Sequence, residues 1–214
     1  MSPDAPVRQA ADAALGGAPI VFPTDTVYGI GTRPDDPAAT ARLFEAKARP
    51  RDLEFPVLVP SAEAARRIAA FDERAEALVL AFWAGPLTIV LPRAGASRGW
   101  DLGGDPNTIG VRMPHHSLTL ALLARTGPLA VSSANRSGEP TPTTCDELRD
   151  VFGDEVAVYL CSDEPLGRVA SSVVDVSGGE PRMLRTGAVS EDDVLEALRR
   201  TPDRAGFGSR GRRR

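Results

Sequence analysis

The sequence predicts an α/β fold built on an open, twisted, mixed sheet flanked by helices, and three observations predict it. Short apolar runs rich in β-branched residues recur along the chain, capped helical segments alternate with them, and the stretches between differ in length. Alternation argues for a layered sheet, and unequal connections argue for strands running in both directions. A chain of 214 residues with 42% hydrophobic and 25% charged residues can bury one real core. The expected organisation is one domain over 1–200, followed by a disordered basic tail over 201–214.

The elements follow in order. The run Ile20-Val21-Phe22 predicts the first strand. Asp36 followed by Pro37 reads as the cap and first residue of a helix running to about Ala46. Strands are predicted over 55–59, 87–91, 108–111, 129–131, 156–160, 172–176 and 182–184. Ser61, Asp72 and Ser117 precede apolar-periodic stretches and read as helix caps. Thr144-x-x-Glu147 is a capping box, and Gly153 stands where that helix should stop. Ser190 caps a last helix. Segments 23–35, 92–107 and 161–171 read as long loops, where function concentrates.

Charge and composition exclude several classes. No apolar run reaches the roughly 18 residues a membrane helix needs, and the N-terminus lacks a basic stretch leading into an apolar one. The tail 201–214 holds five arginines and one aspartate, a net of +4, so the preceding 200 residues carry about −8 of the total −4. An acidic body is a poor general binder of nucleic acid. Cys145 and Cys161 are expected to be separate thiols, which suits a reducing cytoplasm. Of 25 basic residues only Lys47 is a lysine. In so arginine-biased a chain, that lysine marks a place needing a compact, tunable ammonium.

Four stretches look chemical: Thr24, Asp25, Thr26 and Tyr28 after the first strand; Lys47-Ala48-Arg49-Pro50-Arg51; Ser132 to Gly138, reading SSANRSG; and Arg182 to Gly187, reading RMLRTG. Together they supply hydroxyls, amides, an ammonium and guanidinium groups, the donors that grip a polyanion. No P-loop, dinucleotide fingerprint, nucleophile elbow or metal-ligand spacing is present. His115 and His116 precede a helix start and are expected to shape that turn.

In order, PTDTVYGIG, KARP, FWAGPLTIVL, TIGVRMP, SSANRSG, SSVVD and MLRTG resemble the motifs of the YrdC/Sua5 family of threonylcarbamoyl-AMP synthases over residues 20–189. The resemblance implies a YrdC-like (DHBP synthase-like) open sheet with a concave, positively lined cleft. It implies that L-threonine, bicarbonate and ATP give threonylcarbamoyl-adenylate and pyrophosphate. A downstream threonylcarbamoyl transferase then uses the product on adenosine 37 of tRNA, so tRNA contact here is indirect or weak and no membrane is involved. By the same resemblance Lys47 and Arg49 are the catalytic cations. Arg49, Thr108, Ser133, Asn135, Thr141 and Arg185 bind ATP, and Thr26, Tyr28, Arg112 and Ser171 bind threonine. Mg²⁺ is expected with the triphosphate, held mainly by phosphate oxygens and water, and the sequence nominates no protein carboxylate as its ligand.

One departure stands out. After KARP the chain reads Arg51-Asp52-Leu53-Glu54-Phe55-Pro56, with Leu53 where the family often offers a nucleotide contact. Glu54 adds negative charge near a phosphate site, which weakens binding unless it points outward or pairs with Arg51. The alternative reading is a non-enzymatic RNA-binding or ribosome-associated module working through the arginine tail. Deleting 201–214 separates the two: an enzyme keeps its turnover, measured as pyrophosphate release, and an RNA module loses its partner.

Overall fold

The computed structural model describes residues 4–163, 166–167 and 169–200, so the tail expected over 201–214 lies outside the described residues. In chain order the elements are α1 (Asp4–Leu15), β1 (Ile20–Phe22), β2 (Gly29–Thr32), α2 (Pro37–Lys47), β3 (Val57–Leu58), α3 (Ala62–Arg66), α4 (Glu73–Phe82) and β4 (Leu87–Pro92). They continue with β5 (Thr108–Arg112), α5 (Ser117–Thr126), β6 (Leu129–Ser133), α6 (Cys145–Phe152), β7 (Val158–Tyr159), β8 (Ser172–Asp175), β9 (Arg182–Arg185) and α7 (Glu191–Arg199). The strands form one sheet in the order β7-β1-β2-β6-β3-β5-β4-β8-β9. It is mixed: β1/β7, β3/β5 and β4/β8 pair in parallel, and the other neighbours pair antiparallel.

Side chains alternate across a strand, so each strand feeds two layers. On one face Val21, Val57, Ile89, Val111 and Val174 join a core with Leu43 of α2, Leu78 of α4, Leu148 of α6 and Val194 of α7. On the other, Ile20, Phe22, Leu58, Leu129 and Val131 meet Val7, Ala10 and Ala14 of α1 and Leu122 and Leu123 of α5. No residue of β4, β5, β8 or β9 joins this second core. There the same face carries Thr88 and Arg112, which line a cavity. The cleft is therefore the part of the sheet that α1 and α5 do not reach.

The caps act as the sequence predicts at Asp36, Ser61, Asp72 and Ser190, whose side chains accept backbone N–H bonds from the first turn. Thr144 and Glu147 form the reciprocal capping box, and Gly153 ends α6. Ser117 is different: it is the first residue of α5, and His116 occupies the cap without a side-chain cap bond. Strand 55–59 shortens to Val57–Leu58, and 156–160 to Val158–Tyr159.

Segment 23–35 is not all loop, because β2 runs through it. Its glycines hid it. A Cβ on Gly31 would stand 2.6 Å from the Ala130 carbonyl and 2.8 Å from Val131, so only glycine lets β2 close against β6. The cysteine expectation is also corrected: Cys145 and Cys161 are bonded as a disulfide, with Cα atoms 5.8 Å apart. The fold brings the start of α6 beside the end of β7, a proximity that two cysteines in a sequence do not reveal. No helix among the described residues is long and apolar enough to cross a membrane.

Candidate active site

Three segments converge at the uncovered part of the sheet. The first is the turn after β1. Thr24 Oγ1 donates to the Val27 carbonyl at 2.6 Å, shares a hydrogen bond with Thr26 Oγ1 at 3.0 Å, and accepts from the Thr26 N–H at 3.2 Å. Tyr28 is fully buried, and its hydroxyl accepts from the Ser162 N–H at 2.9 Å. The hydroxyls thus close a turn at the strand end and hold Thr26 at the cavity wall.

The second is the end of α2. Ala48 adopts the left-handed conformation, φ 45°, and terminates the helix, with its N–H bonded to the Phe44 and Glu45 carbonyls. Lys47 precedes this reversal and Arg49 follows it. Lys47 is buried, with Nζ donating to the Ser133 carbonyl at 2.6 Å, to the Asn135 carbonyl, and to Asn135 Oδ1 at 3.4 Å. Thr141 Oγ1 donates to the same Oδ1 at 3.2 Å, and the Ser137 N–H returns to the Lys47 carbonyl at 3.0 Å. The lysine and the Ser–Asn loop are therefore one unit. Burial, reinforced by Arg49 and Arg136, pushes the Lys47 ammonium down to about 7, while its three oxygen acceptors favour the charged form.

The third is the edge formed by β8 and β9. Arg185 donates to the Ser171 carbonyl at 2.9 Å and to Ser171 Oγ at 3.0 Å, and that hydroxyl shares a hydrogen bond with Thr88 at 3.2 Å. Gly187 follows because the chain passes so close to Ser171: a Cβ there would lie 2.2 Å from the Ala170 carbonyl. Arg112, at the end of β5, donates to the Gly85 carbonyl at 3.0 Å, to Thr26 Oγ1 at 3.2 Å and to Asp25 Oδ1 at 2.6 Å.

A cavity of about 130 Å³ joins these segments, lined by Thr26, Tyr28, Arg49, Arg112, Ser133, Ser171 and Arg185 among others. Lys47, Asn135 and Thr141 are not in its wall; they stand behind Ser133 through the bonds above. Thr108 is also outside it, at the start of β5, about 13 Å of strand from Arg112. Arg49, Arg112 and Arg185 are each held below the usual arginine range, by burial first; Arg185 then acts as a like charge on both Arg49 and Arg112. Three crowded guanidinium groups, with Asp25 acting on Arg112 and Asp52 on Arg49, leave a cavity that calls for an anion. A larger cavity of about 900 Å³ lies between α4 and α7, but its lining (Phe71, Leu80, Phe82 and Ala197 with an acidic rim) shares no residue with this cluster.

The sequence reading of Glu54 needs correction. It pairs with buried Arg93 at 3.1 Å, whereas Arg51 pairs with Asp101 at 2.7 Å. Arg93 also donates to the Thr108, Ser97 and Trp100 carbonyls, so Glu54 is drawn into a structural cluster rather than toward phosphates. Leu53 is partly exposed and offers its carbonyl, which accepts from Arg49 Nε at 3.1 Å. Burial raises Glu54 to about 7 against the opposing pull of Arg93. A carboxyl raised above its ordinary value stabilises the fold fully at low pH and loses that contribution as pH rises through about 7. Glu54→Gln is therefore expected to gain stability relative to the parent between pH 5 and pH 8, by roughly 2 kcal/mol. Denaturant melts at both pH values check this, and a gap that narrows with rising pH contradicts it.

The sequence places Asp25 and Arg136 in chemical-looking stretches but assigns them no role, and it gives no sign of Thr88. Asp25 was visible in the opening motif, but its partner lies 87 residues away. Arg136 bonds the Ala46 and Val151 carbonyls and pairs with Glu155, bracing the Ser–Asn loop from outside.

Comparison with known proteins gives a consistent result. The family model Sua5/YciO/YrdC, described as telomere recombination, matches residues 12–187. A putative threonylcarbamoyl-AMP synthase of Mycobacterium tuberculosis is 42% identical over 193 residues, which is 90% of this chain and 88% of that protein. The threonylcarbamoyl-AMP synthase of Pyrococcus abyssi is 36% identical over 194 residues, 90% of this chain and 57% of that one. The crystal structure of P. abyssi Sua5 complexed with L-threonine superposes with a TM-score of 0.80 at 35% identity, over 89% of this chain and 56% of that one. E. coli YciO matches in fold, with a TM-score of 0.80 at 24% identity over 88% of this chain and 92% of that one. A family match across most of the described chain and a relative 42% identical over nine-tenths of it lead to one conclusion: the chain belongs to the Sua5/YciO/YrdC family.

Proposed function

We propose that this protein is an L-threonylcarbamoyladenylate synthase, a nucleotidyltransferase making threonylcarbamoyl-AMP and pyrophosphate from L-threonine, bicarbonate and ATP. The observation that carries the reading is the convergence of Arg49, Arg112 and Arg185 with Thr26, Ser133 and Ser171 on one cavity of an otherwise acidic protein. The relatives' names and the threonine complex of P. abyssi Sua5 support the same assignment.

The chemistry follows from what each group can do. Threonine's amino nitrogen and the bicarbonate carbon join as an N-carboxylate with loss of water. One oxygen of that carboxylate attacks the α-phosphorus of ATP, and pyrophosphate leaves. Negative charge builds on the phosphorus oxygens and the leaving group, so fixed cations and positioning are the main requirements. Arg112 takes the amino acid's carboxylate, with Thr26, Tyr28 and Ser171 shaping the pocket around its side chain. Arg49 and Arg185, both in the cavity wall, take the phosphates. Ser133 meets the nucleotide from the cavity wall, Asn135 and Thr141 support it from behind, and Lys47 fixes their loop and adds its charge. Thr108 takes a part in ATP binding only at the far margin of the nucleotide.

ATP brings Mg²⁺ with it. Among the described residues no three acidic, histidine or cysteine side chains gather as a metal group, and Asp25 is already engaged by Arg112. In this reading the cation is held by phosphate oxygens and water. The product is consumed by a threonylcarbamoyl transferase acting on tRNA in the cytoplasm. Pyrophosphate release, with threonine, bicarbonate and ATP omitted in turn, tests the reading. Release should require all three, and release indifferent to threonine would remove it.

A further inference from the structure

The Arg112 guanidinium is already well occupied before any ligand arrives. Its Nε bonds the Gly85 carbonyl, one terminal nitrogen bonds Thr26 Oγ1, and the other bonds Asp25 Oδ1 at 2.6 Å. Three of five N–H donors are therefore committed, to two segments outside β5. Among the described residues, one N–H on each terminal nitrogen is left, and that pair matches the two oxygens of a carboxylate.

Asp25 sits behind this fork. It lines a neighbouring cavity of about 610 Å³, with Gly85, His115 and His116, while Arg112 lines the smaller one; Thr24 and Thr26 line both. Asp25 Oδ2 is buried and has no hydrogen-bond partner among the described residues. A half-satisfied buried carboxylate is a poor way to stabilise a fold. Its geometry instead serves the guanidinium: Asp25 fixes the side of the fork away from the cavity and leaves the cavity side free.

We propose that Asp25 is a positioning residue for amino-acid recognition: it orients Arg112 so that the site selects a substrate bearing an α-carboxylate. The inference rests on the synthase reading and deepens it. Two effects of the Asp25 charge oppose each other. It partly neutralises Arg112, which weakens attraction for an anion, and it holds the fork in place, which strengthens two-point recognition. The short, buried contact makes placement the larger effect, because charge-assisted bonds in a dry site lose most when misaligned.

The experiment compares L-threonine with L-threoninol, which keeps the amino and hydroxyl groups but lacks the carboxylate, in the pyrophosphate-release assay. In Asp25→Asn the threonine KM should rise about tenfold or more, with kcat within about threefold and the ATP KM within about twofold. The kcat/KM ratio of threonine to threoninol should fall by the same factor, with threoninol turnover unchanged. Asp25→Glu keeps the charge but displaces it by one methylene. It should fold if the asparagine variant does not, and it should show the same selective loss. A threonine KM that is unchanged or lower in both variants overturns the proposal, as does an equal loss with both substrates. Wild-type protein that releases no pyrophosphate with threonine would instead overturn the synthase reading itself.

Discussion

Lys47→Ala should lower the rate of threonylcarbamoyl-AMP formation about a hundredfold or more, the loss typical of a fixed charge-stabilising donor. Two losses combine. The charge proposed to act on the phosphates disappears, and the Ser133 and Asn135 carbonyls lose the donor that ties them to α2. Lys47→Met keeps most of the volume but, like alanine, lacks both the charge and the N–H donors, so a loss equal to that of alanine assigns it to the ammonium rather than to the space the side chain fills. Lys47→Arg should not restore activity, because a planar guanidinium does not fit a slot built for a compact ammonium with 1% exposure.

The pH behaviour gives a second reading of the same residue. Lys47 is lowered from 10.5 to about 7, so between those values the unfolded chain holds a proton that the folded chain does not. Stability therefore rises with pH across that window and is lost as pH falls toward 7. Phosphate binding works the other way, favouring the ammonium. ATP binding above pH 7 should then take up a proton, seen as a buffer-dependent heat by calorimetry and absent in Lys47→Met. Near-normal turnover in Lys47→Met, or unchanged proton uptake, would refute the role given to this lysine.

How much of this was legible in the sequence depends on whether the cause was local. Caps at Asp36, Ser61, Asp72 and Ser190 are satisfied within one turn, so their residues announce them. Strand β2 was not legible. Gly29 and Gly31 carry no strand propensity, and their reason for being there is the crowding by Phe22 and Val131 from neighbouring strands. Lys47 was legible as an exception in an arginine-rich chain, yet nothing local said that its ammonium would be capped by carbonyls 86 and 88 residues away. Glu54 was read against its neighbour Arg51, whereas the fold offers it Arg93, 39 residues on. The disulfide, the Asp25–Arg112 pair and the place of Thr108 at the far end of β5 are likewise products of topology.

Arg112→Ala should produce the second large effect, and in two measurements at once. Arg112 is 6% exposed and its partner Asp25 is nearly as enclosed, so removing the guanidinium strands a buried carboxylate with both oxygens unmet. Breaking such a pair from one side costs roughly 3 kcal/mol, which a denaturant melt resolves easily. Independently, the threonine KM should rise about a hundredfold, the value of a desolvated two-point carboxylate contact, while the ATP KM stays near that of the parent. Pairing Arg112→Ala with Asp25→Asn tells the two apart. The double variant no longer buries an unpaired charge, so its stability should return toward the parent, but threonine binding should stay lost because no fork remains. If threonine affinity recovers along with stability, Arg112 acts only as scaffolding and the carboxylate is held elsewhere. If neither recovers, the loss belongs to the Gly85 and Thr26 contacts of the guanidinium, and the ion pair is not what maintains this wall of the cleft.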